Sequence, residues 1–307
     1  MGDPLESKKK GTVSTPAHKL QFDLFAAAMR ALESRREHPL INDPLAEVLV
    51  KAANEPLSTA LLAAGFPQKP SAKDGTFLLI NAAGIFFRNG DDFITTELDT
   101  GTRQVVLFAA GLDTRAYRMA WPADAVLYEV DYPHTLELSS RVLKEHGAVP
   151  RVTHRQIAGE GVAGPWPEGL CGAGFDPERP TAWLIHPLIM TGMAPADQDL
   201  LFERLIELSA PGSAISSDGD TFITSLETWD ELAEPVVPQD VAAANIWLLA
   251  YPEARMRPAD WLSGHGWITN IRTAAEIAAA YERPFTDDVP DLVKQHSDWQ
   301  FLTAKLP

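Results

Sequence analysis

The chain has 307 residues, 45% of them hydrophobic, which is enough to bury a full core and more than one small domain needs. A single α/β domain with an added helical element is therefore expected. With 42 acidic side chains against 26 basic ones and a net charge of −16, no basic face is left for nucleic acid or an anionic membrane, and a small-molecule substrate fits better. One cysteine, Cys171, excludes an internal disulfide framework. There is no apolar run long enough to span a bilayer and no secretory signal, so the expected location is the cytoplasm.

Residues 1–16 are polar and carry a lysine cluster at Lys8–Lys10, which predicts a disordered leader. Phe22, Phe25, Met29 and Leu32 recur at spacings of three and four and predict a helix from Phe22 to Arg36. Asp43–Pro44 marks the next helix start, with Leu45, Val48, Leu49 and Ala52 as its stripe, and a further helical pair spans Pro56 to Phe93 around a loop at Pro67–Gly75. Val105–Phe108 has the length and apolarity of a buried parallel strand, followed by the small residues Ala109, Ala110 and Gly111. A second strand, Val126–Val130, closes on Asp131.

Beyond it the β/α alternation continues. A helix is expected from His134 to His146, stopped by Gly147, then a strand over Val152–Ala158 and a Gly- and Pro-rich loop from Gly159 to Pro180. Thr181–Ile185 reads as a strand, Asp197–Ser209 as a helix and Ala214–Ser217 as a strand. Pro258–His265 reads as a helix, Trp267–Ile271 as a strand, Ala274–Tyr281 as a helix, and Trp299–Thr303 as an edge strand. This series predicts a doubly wound, Rossmann-like α/β sheet and leaves the order of the late strands open.

The chemistry centres on Val105–Asp131. Asp131 stands 20 positions beyond Gly111 at the end of the second strand, where a carboxylate can accept hydrogen bonds from ribose hydroxyls. A dinucleotide turn needs three glycines to seat a pyrophosphate, and here Gly111 is followed by Leu112 and Asp113. An acidic turn of this kind suits a neutral or cationic ligand such as S-adenosylmethionine. No Cys/His or HExxH spacing suggests a metal, and no serine or cysteine stands in a nucleophile elbow.

Four ordered blocks, GLDTRAYR (Gly111–Arg118), YEVDYP (Tyr128–Pro133), FDPERPTAWL (Phe175–Leu184) and WLSGHGW (Trp261–Trp267), with RALESRREHPLINDPLAE near the front, make the chain resemble the leucine carboxyl methyltransferase family. The resemblance runs from about Phe25 to Phe285. It implies S-adenosylmethionine as cofactor, a helical cap over residues 17–95, and a methyltransferase domain over 96–307. The cofactor-binding candidates are Arg88, Ala109, Gly111, Asp113, Asp131 and Glu160. Relatives of this type usually have Gly where this chain has Ala109, an Arg holding the methionine carboxylate where it has Phe86, and an acidic residue where it has Pro187. Arg88 would replace that clamp only if the backbone were irregular near Gly84, Asn89 and Gly90, since two helical residues are about 200° apart; a solvated arginine beside Asp91 and Asp92 is the alternative.

His186 follows a predicted strand end and is the first candidate for a general base toward a carboxyl, phenol or enol, with Tyr117 and His134 behind it. The bland alternative for His186 is a histidine hydrogen-bonded within its loop, and His265, between Gly264 and Gly266, reads as structural. The first reading is an S-adenosylmethionine-dependent O-methyltransferase of a small molecule, with a place in secondary metabolism. The altered contacts keep two others open: a methyltransferase fold that catalyses cyclisation, decarboxylation or another rearrangement, and a non-catalytic ligand-binding pseudoenzyme.

Overall fold

Residues 16–66, 75–185, 193–218, 255–283 and 300–307 are described by a computed structural model. Four helices precede the first strand: α1 (Pro16–Ser34), α2 (Pro44–Ala53), α3 (Pro56–Ala64) and α4 (Gly75–Asp99). α1 starts well ahead of Phe22, because its opening turns are polar and leave no mark in the hydrophobic periodicity. α2 starts where predicted: the Asp43 carboxylate accepts from the Ala46 amide at 3.1 Å and Pro44 supplies a first residue with no N–H to satisfy. The four helices bury Leu24, Phe25, Leu32, Leu49, Leu61 and Ile80 in a core that also takes in Leu112, Val142 and Leu143 from the residues after the first strand.

α4 is continuous through Gly84, Asn89 and Gly90, so the irregular backbone that Arg88 would need is not there. Its glycines serve close packing instead. A Cβ at Gly84 would lie 2.8 Å from the Glu33 side chain, and one at Gly90 would lie 2.8 Å from the Arg115 guanidinium. The helix runs past position 95 and carries Phe93, Ile94 and Leu98 onto the sheet, which joins the helical layer to the domain beneath it.

The remaining elements are β1 (Gln104–Phe108), α5 (Arg115–Arg118), β2 (Val126–Asp131), α6 (Pro133–Glu145), β3 (Thr153–Ala158), α7 (Trp166–Gly172), β4 (Thr181–Ile185), α8 (Pro195–Glu207), β5 (Ala214–Asp218), α9 (Pro258–Gly264), β6 (Ile268–Thr273), α10 (Ala274–Ala280) and β7 (Gln300–Lys305). The strands form one sheet in the order β3-β2-β1-β4-β5-β7-β6. β1 to β5 are mutually parallel, and β7 is antiparallel to both β5 and β6. Val105 and Leu107 face one helical layer while Val106 and Phe108 face the other, as the period of two requires.

Two expectations are corrected. The C-terminal strand is not an edge: β7 lies between β5 and β6 with Phe301, Leu302 and Ala304 buried, and the edge position goes to the more polar β6, where Ile268 is exposed. The loop from Gly159 to Pro180 contains α7, hidden by its glycines and prolines but anchored by the fully buried pair Trp166 and Leu170. Trp166 also donates its indole N–H to the Val162 carbonyl at 2.9 Å.

The sheet order reverses direction between β1 and β4. In open α/β sheets the crevice outside the carboxyl ends of the strands at such a switch point is where ligands bind.

Candidate functional site

The loop after β1 holds its shape through two unusual backbone positions, Ala109 with φ +52° and Gly111 with φ +65°. A left-handed conformation is free for glycine, but a side chain at φ near +50° costs roughly 1–2 kcal/mol. Ala109 is therefore strained. Its amide donates to the Val130 carbonyl at 2.7 Å, which ties the loop across to β2.

Gly111 brings the loop to Asp131. The Gly111 amide donates to Asp131 Oδ2 at 2.6 Å, and the Tyr132 amide donates to Oδ1 at 2.6 Å. The carboxylate is thus fixed by two backbone donors at the carboxyl end of β2, with its side chain fully buried. Glu160 joins them at the same end of the sheet: the Gly159 amide donates to the Asp131 carbonyl at 2.7 Å, and exposed Glu160 follows directly in a tight turn closed by Gly164. The structure brings Gly111 and Asp131 into contact and places Glu160 in the turn after β3, the strand paired with β2.

The lack of a side chain at Gly111 has a second cause that the sequence did not announce. A Cβ there would lie 2.7 Å from Asp23 Oδ1, a buried carboxylate on α1. Lys19, one turn earlier, donates to Asp23 Oδ2 and Asp131 Oδ2, both at 2.8 Å. Burial is the largest influence on Asp23; together with the neighbouring Asp131 it outweighs Lys19 and Arg30 and raises the carboxyl to about 7. For Lys19 burial acts in the opposite sense, yet Asp131 and Asp23 overcome it and hold the ammonium above the usual lysine range.

Asp113 faces a different way. It accepts from the Arg115 amide at 2.7 Å and is in contact with the Arg115 guanidinium. Burial would raise its carboxyl, but Arg115, Arg30 and Arg118 outweigh it and hold it below the usual range. Arg115 Nε donates to Asp91 Oδ1 at 2.7 Å, and Arg118 grips the same Asp91 with two N–H groups, at 2.5 and 2.8 Å. Arg30 reaches in from α1, donating to Asp43 at 2.9 Å and to the Leu112 carbonyl. Asp113 thus belongs to the frame that fastens the loop to α1 and α4.

The other candidates are dispersed. Arg88 donates to Asp92 at 2.7 Å and lies over the Tyr281 ring at 5.8 Å, half-exposed and away from Gly111. Phe86 packs against Phe301 and Phe87, so an arginine there would enter an apolar cluster. Tyr117 meets His154 edge-on beside the first half of β3, and burial followed by Glu129 raises its phenol. His134, at the start of α6, stacks obliquely on Tyr132 beside Asp131. His265 stacks on Trp261 and its Nδ1 lies 2.8 Å from the Trp261 carbonyl, as a structural residue would. His186 and Pro187 lie outside the described residues, as do the predicted leader up to residue 15 and the loop 67–74.

A cavity of about 380 Å³ lined by Arg35, Arg36, Glu37, His38, Phe66 and Arg283 contains none of these candidates. Among the described residues no group of three or more His, Cys, Asp or Glu side chains could hold a metal ion, and no helix is long and apolar enough to cross a membrane.

A mixed α/β sheet thus carries a buried carboxylate at the end of β2 and an acidic, single-glycine loop after β1. Comparison with known proteins makes the class specific. Residues 23–206 match the model of the leucine carboxyl methyltransferase family, and the chain belongs to that family. A Mycobacteroides abscessus protein named as an S-adenosyl-L-methionine-dependent methyltransferase is 39% identical over 289 residues, covering 92% of this chain and 91% of its own. A Rhodococcus jostii protein named in the same way is 38% identical over 282 residues, covering 92% and 93%. A crystal structure described as a Thermobifida fusca methyltransferase aligns with a TM-score of 0.48 at 15% identity, over 99% of this chain and 98% of that one.

Proposed function

We propose that this chain uses S-adenosylmethionine to methylate a carboxyl or hydroxyl oxygen of a small molecule, as an enzyme of secondary metabolism in the cytoplasm. The observation that carries this reading is the Asp131 carboxylate, aimed by the Gly111 and Tyr132 amides at the end of β2. The cofactor supplies an electrophilic methyl group on a cationic sulfur. Asp131 would accept from the ribose hydroxyls, and Glu160, on the turn after β3, would face the adenine end. The buried carboxylate of Asp23 behind Gly111 suits a loop that receives positive charge rather than phosphate.

Catalysis in such a site is mostly positioning. His186, the residue that follows Ile185 in sequence, is the proposed base: its imidazole would take the proton from the substrate oxygen as that oxygen becomes the nucleophile. His134 is next in line, because it stands beside Tyr132 and Asp131. The high phenol of Tyr117 and its place beside β3 make it the weakest of the three.

The packing of Phe86 against Phe301, with no cation in its place, keeps the rearrangement reading in view. Calorimetric titration of the purified protein with S-adenosylmethionine and with S-adenosylhomocysteine tests the proposal. Binding of both is expected. Failure of both to bind would remove the cofactor from the account, and substrate turnover without release of S-adenosylhomocysteine would favour rearrangement over methyl transfer.

A further inference from the structure

Asp131 has two oxygens and about four acceptor sites. Three are occupied: Oδ1 accepts from the Tyr132 amide, and Oδ2 accepts from both the Gly111 amide and Lys19 Nζ. Two ribose hydroxyls arriving side by side would need one site on each oxygen. Oδ1 has one to give. Oδ2 has none unless a donor leaves, and the Gly111 amide is fixed by the loop while Lys19 sits on a flexible stem in the first turns of α1.

From this count we propose that Lys19 is a gate on the cofactor site: its ammonium occupies the acceptor position on Asp131 that a ribose hydroxyl must take, and it yields to the adenosine ligand. The inference rests on the cofactor reading above and deepens it. When Lys19 lets go of Asp131 it keeps Asp23, four residues along the same helix, as its partner. The free energy of the Lys19–Asp131 pair is then subtracted from the binding of any ligand that uses Asp131, so the gate lowers apparent affinity without touching the ligand.

The consequence is counter-intuitive for a buried cation beside a binding site. Lys19→Met, which keeps the stem and removes the charge, should tighten the binding of S-adenosylhomocysteine about three- to tenfold, because a competitor has been removed. 5′-Methylthioadenosine has the same ribose and lacks the amino-acid tail, and it should tighten by the same factor. In the wild-type protein, saturation with 5′-methylthioadenosine should speed amide exchange in the segment around Lys19 as the first turns of α1 lose their anchor.

Weaker binding of S-adenosylhomocysteine with 5′-methylthioadenosine unchanged would overturn the gate and make Lys19 a partner of the ligand's carboxylate. Equal or weaker binding of both would overturn it as well. If Lys19→Met does not fold, the exchange experiment decides alone: slower exchange at Lys19 on ligand addition contradicts the gate. Failure of the wild-type protein to bind either ligand would defeat the cofactor reading itself, whereas wild-type binding with an indifferent Lys19→Met defeats only the gate.

Discussion

Two buried charge clusters meet the loop after β1, and they are built on opposite plans. On the α4 side, Arg115 and Arg118 face Asp91 and Asp113, two cations against two anions, all interlocked within hydrogen-bond distance. On the α1 side, Lys19 is, among the described residues, the one cation in ion-pair contact with both Asp23 and Asp131. In the first cluster the cations and anions balance and face one another. The second has one carboxylate too many. Burying such a surplus costs stability, as the raised Asp23 carboxyl records, and a fold tolerates that cost where a ligand will use the charge. The balanced cluster shapes the loop, and the unbalanced one holds the carboxylate proposed above to receive the cofactor.

Breaking the balanced cluster should have the largest effect. Arg115 is almost fully buried, and Arg115→Met leaves Asp91 and Asp113 short of a partner, so unfolding in urea should show a loss of about 3–5 kcal/mol. A loss below about 1 kcal/mol would mean that the loop does not depend on this frame. Relieving the strain at Ala109 is a smaller change in the opposite direction. Ala109→Gly removes the left-handed penalty at φ +52° but adds backbone freedom to the unfolded chain, so a gain of up to about 1 kcal/mol is expected by the same urea assay. A clear loss of stability would contradict the strain.

A further effect is a pH dependence from the unbalanced side. Asp23 titrates at about 7 in the folded chain against 3.8 as its ordinary value, so between these limits the folded state holds more protons than the unfolded one. Stability contributed by this group therefore falls as pH rises through that window. His154 acts in the same direction: burial lowers it, but Glu129 at 2.9 Å prevails and raises it above 6.5, so its contribution is complete below 6.5 and lost at higher pH. Thermal unfolding should occur at lower temperature at pH 8 than at pH 6, and Asp23→Asn should flatten that slope. An unchanged slope in Asp23→Asn would place the titration elsewhere.

Much of this architecture was legible in the chain. β4 spans the predicted residues, and the acidic end of β2 and the start of α2 were marked by a strand-closing aspartate and an Asp-Pro pair. What escaped notice had physical reasons. α7 was disguised by glycine and proline although its Trp166 and Leu170 are fully buried, and β7 could not be placed because strand order depends on contacts distant in sequence. In the candidate site, the position of Asp131 at the end of β2 could be read from its spacing to Gly111. Lys19 and Asp23 lay in polar turns that hydrophobic periodicity passes over, though their i,i+4 spacing of opposite charges was a signal. The arginines of GLDTRAYR carried no structural assignment in the sequence; they are directed at Asp91 and Asp113, a partnership visible only once α4 is folded against the loop.

The claim that the unbalanced cluster is the cofactor site is tested most directly by titrating S-adenosylhomocysteine into the wild-type protein and into Asp131→Ala, with the melting temperature of each unliganded protein as control. The loss of hydrogen bonds to a charged acceptor, about 1.5–3 kcal/mol, predicts roughly ten- to 150-fold weaker binding in Asp131→Ala, with Asp131→Asn between the two and the fold intact. Equal affinity in wild type and Asp131→Ala, with both proteins folded, would contradict the assignment.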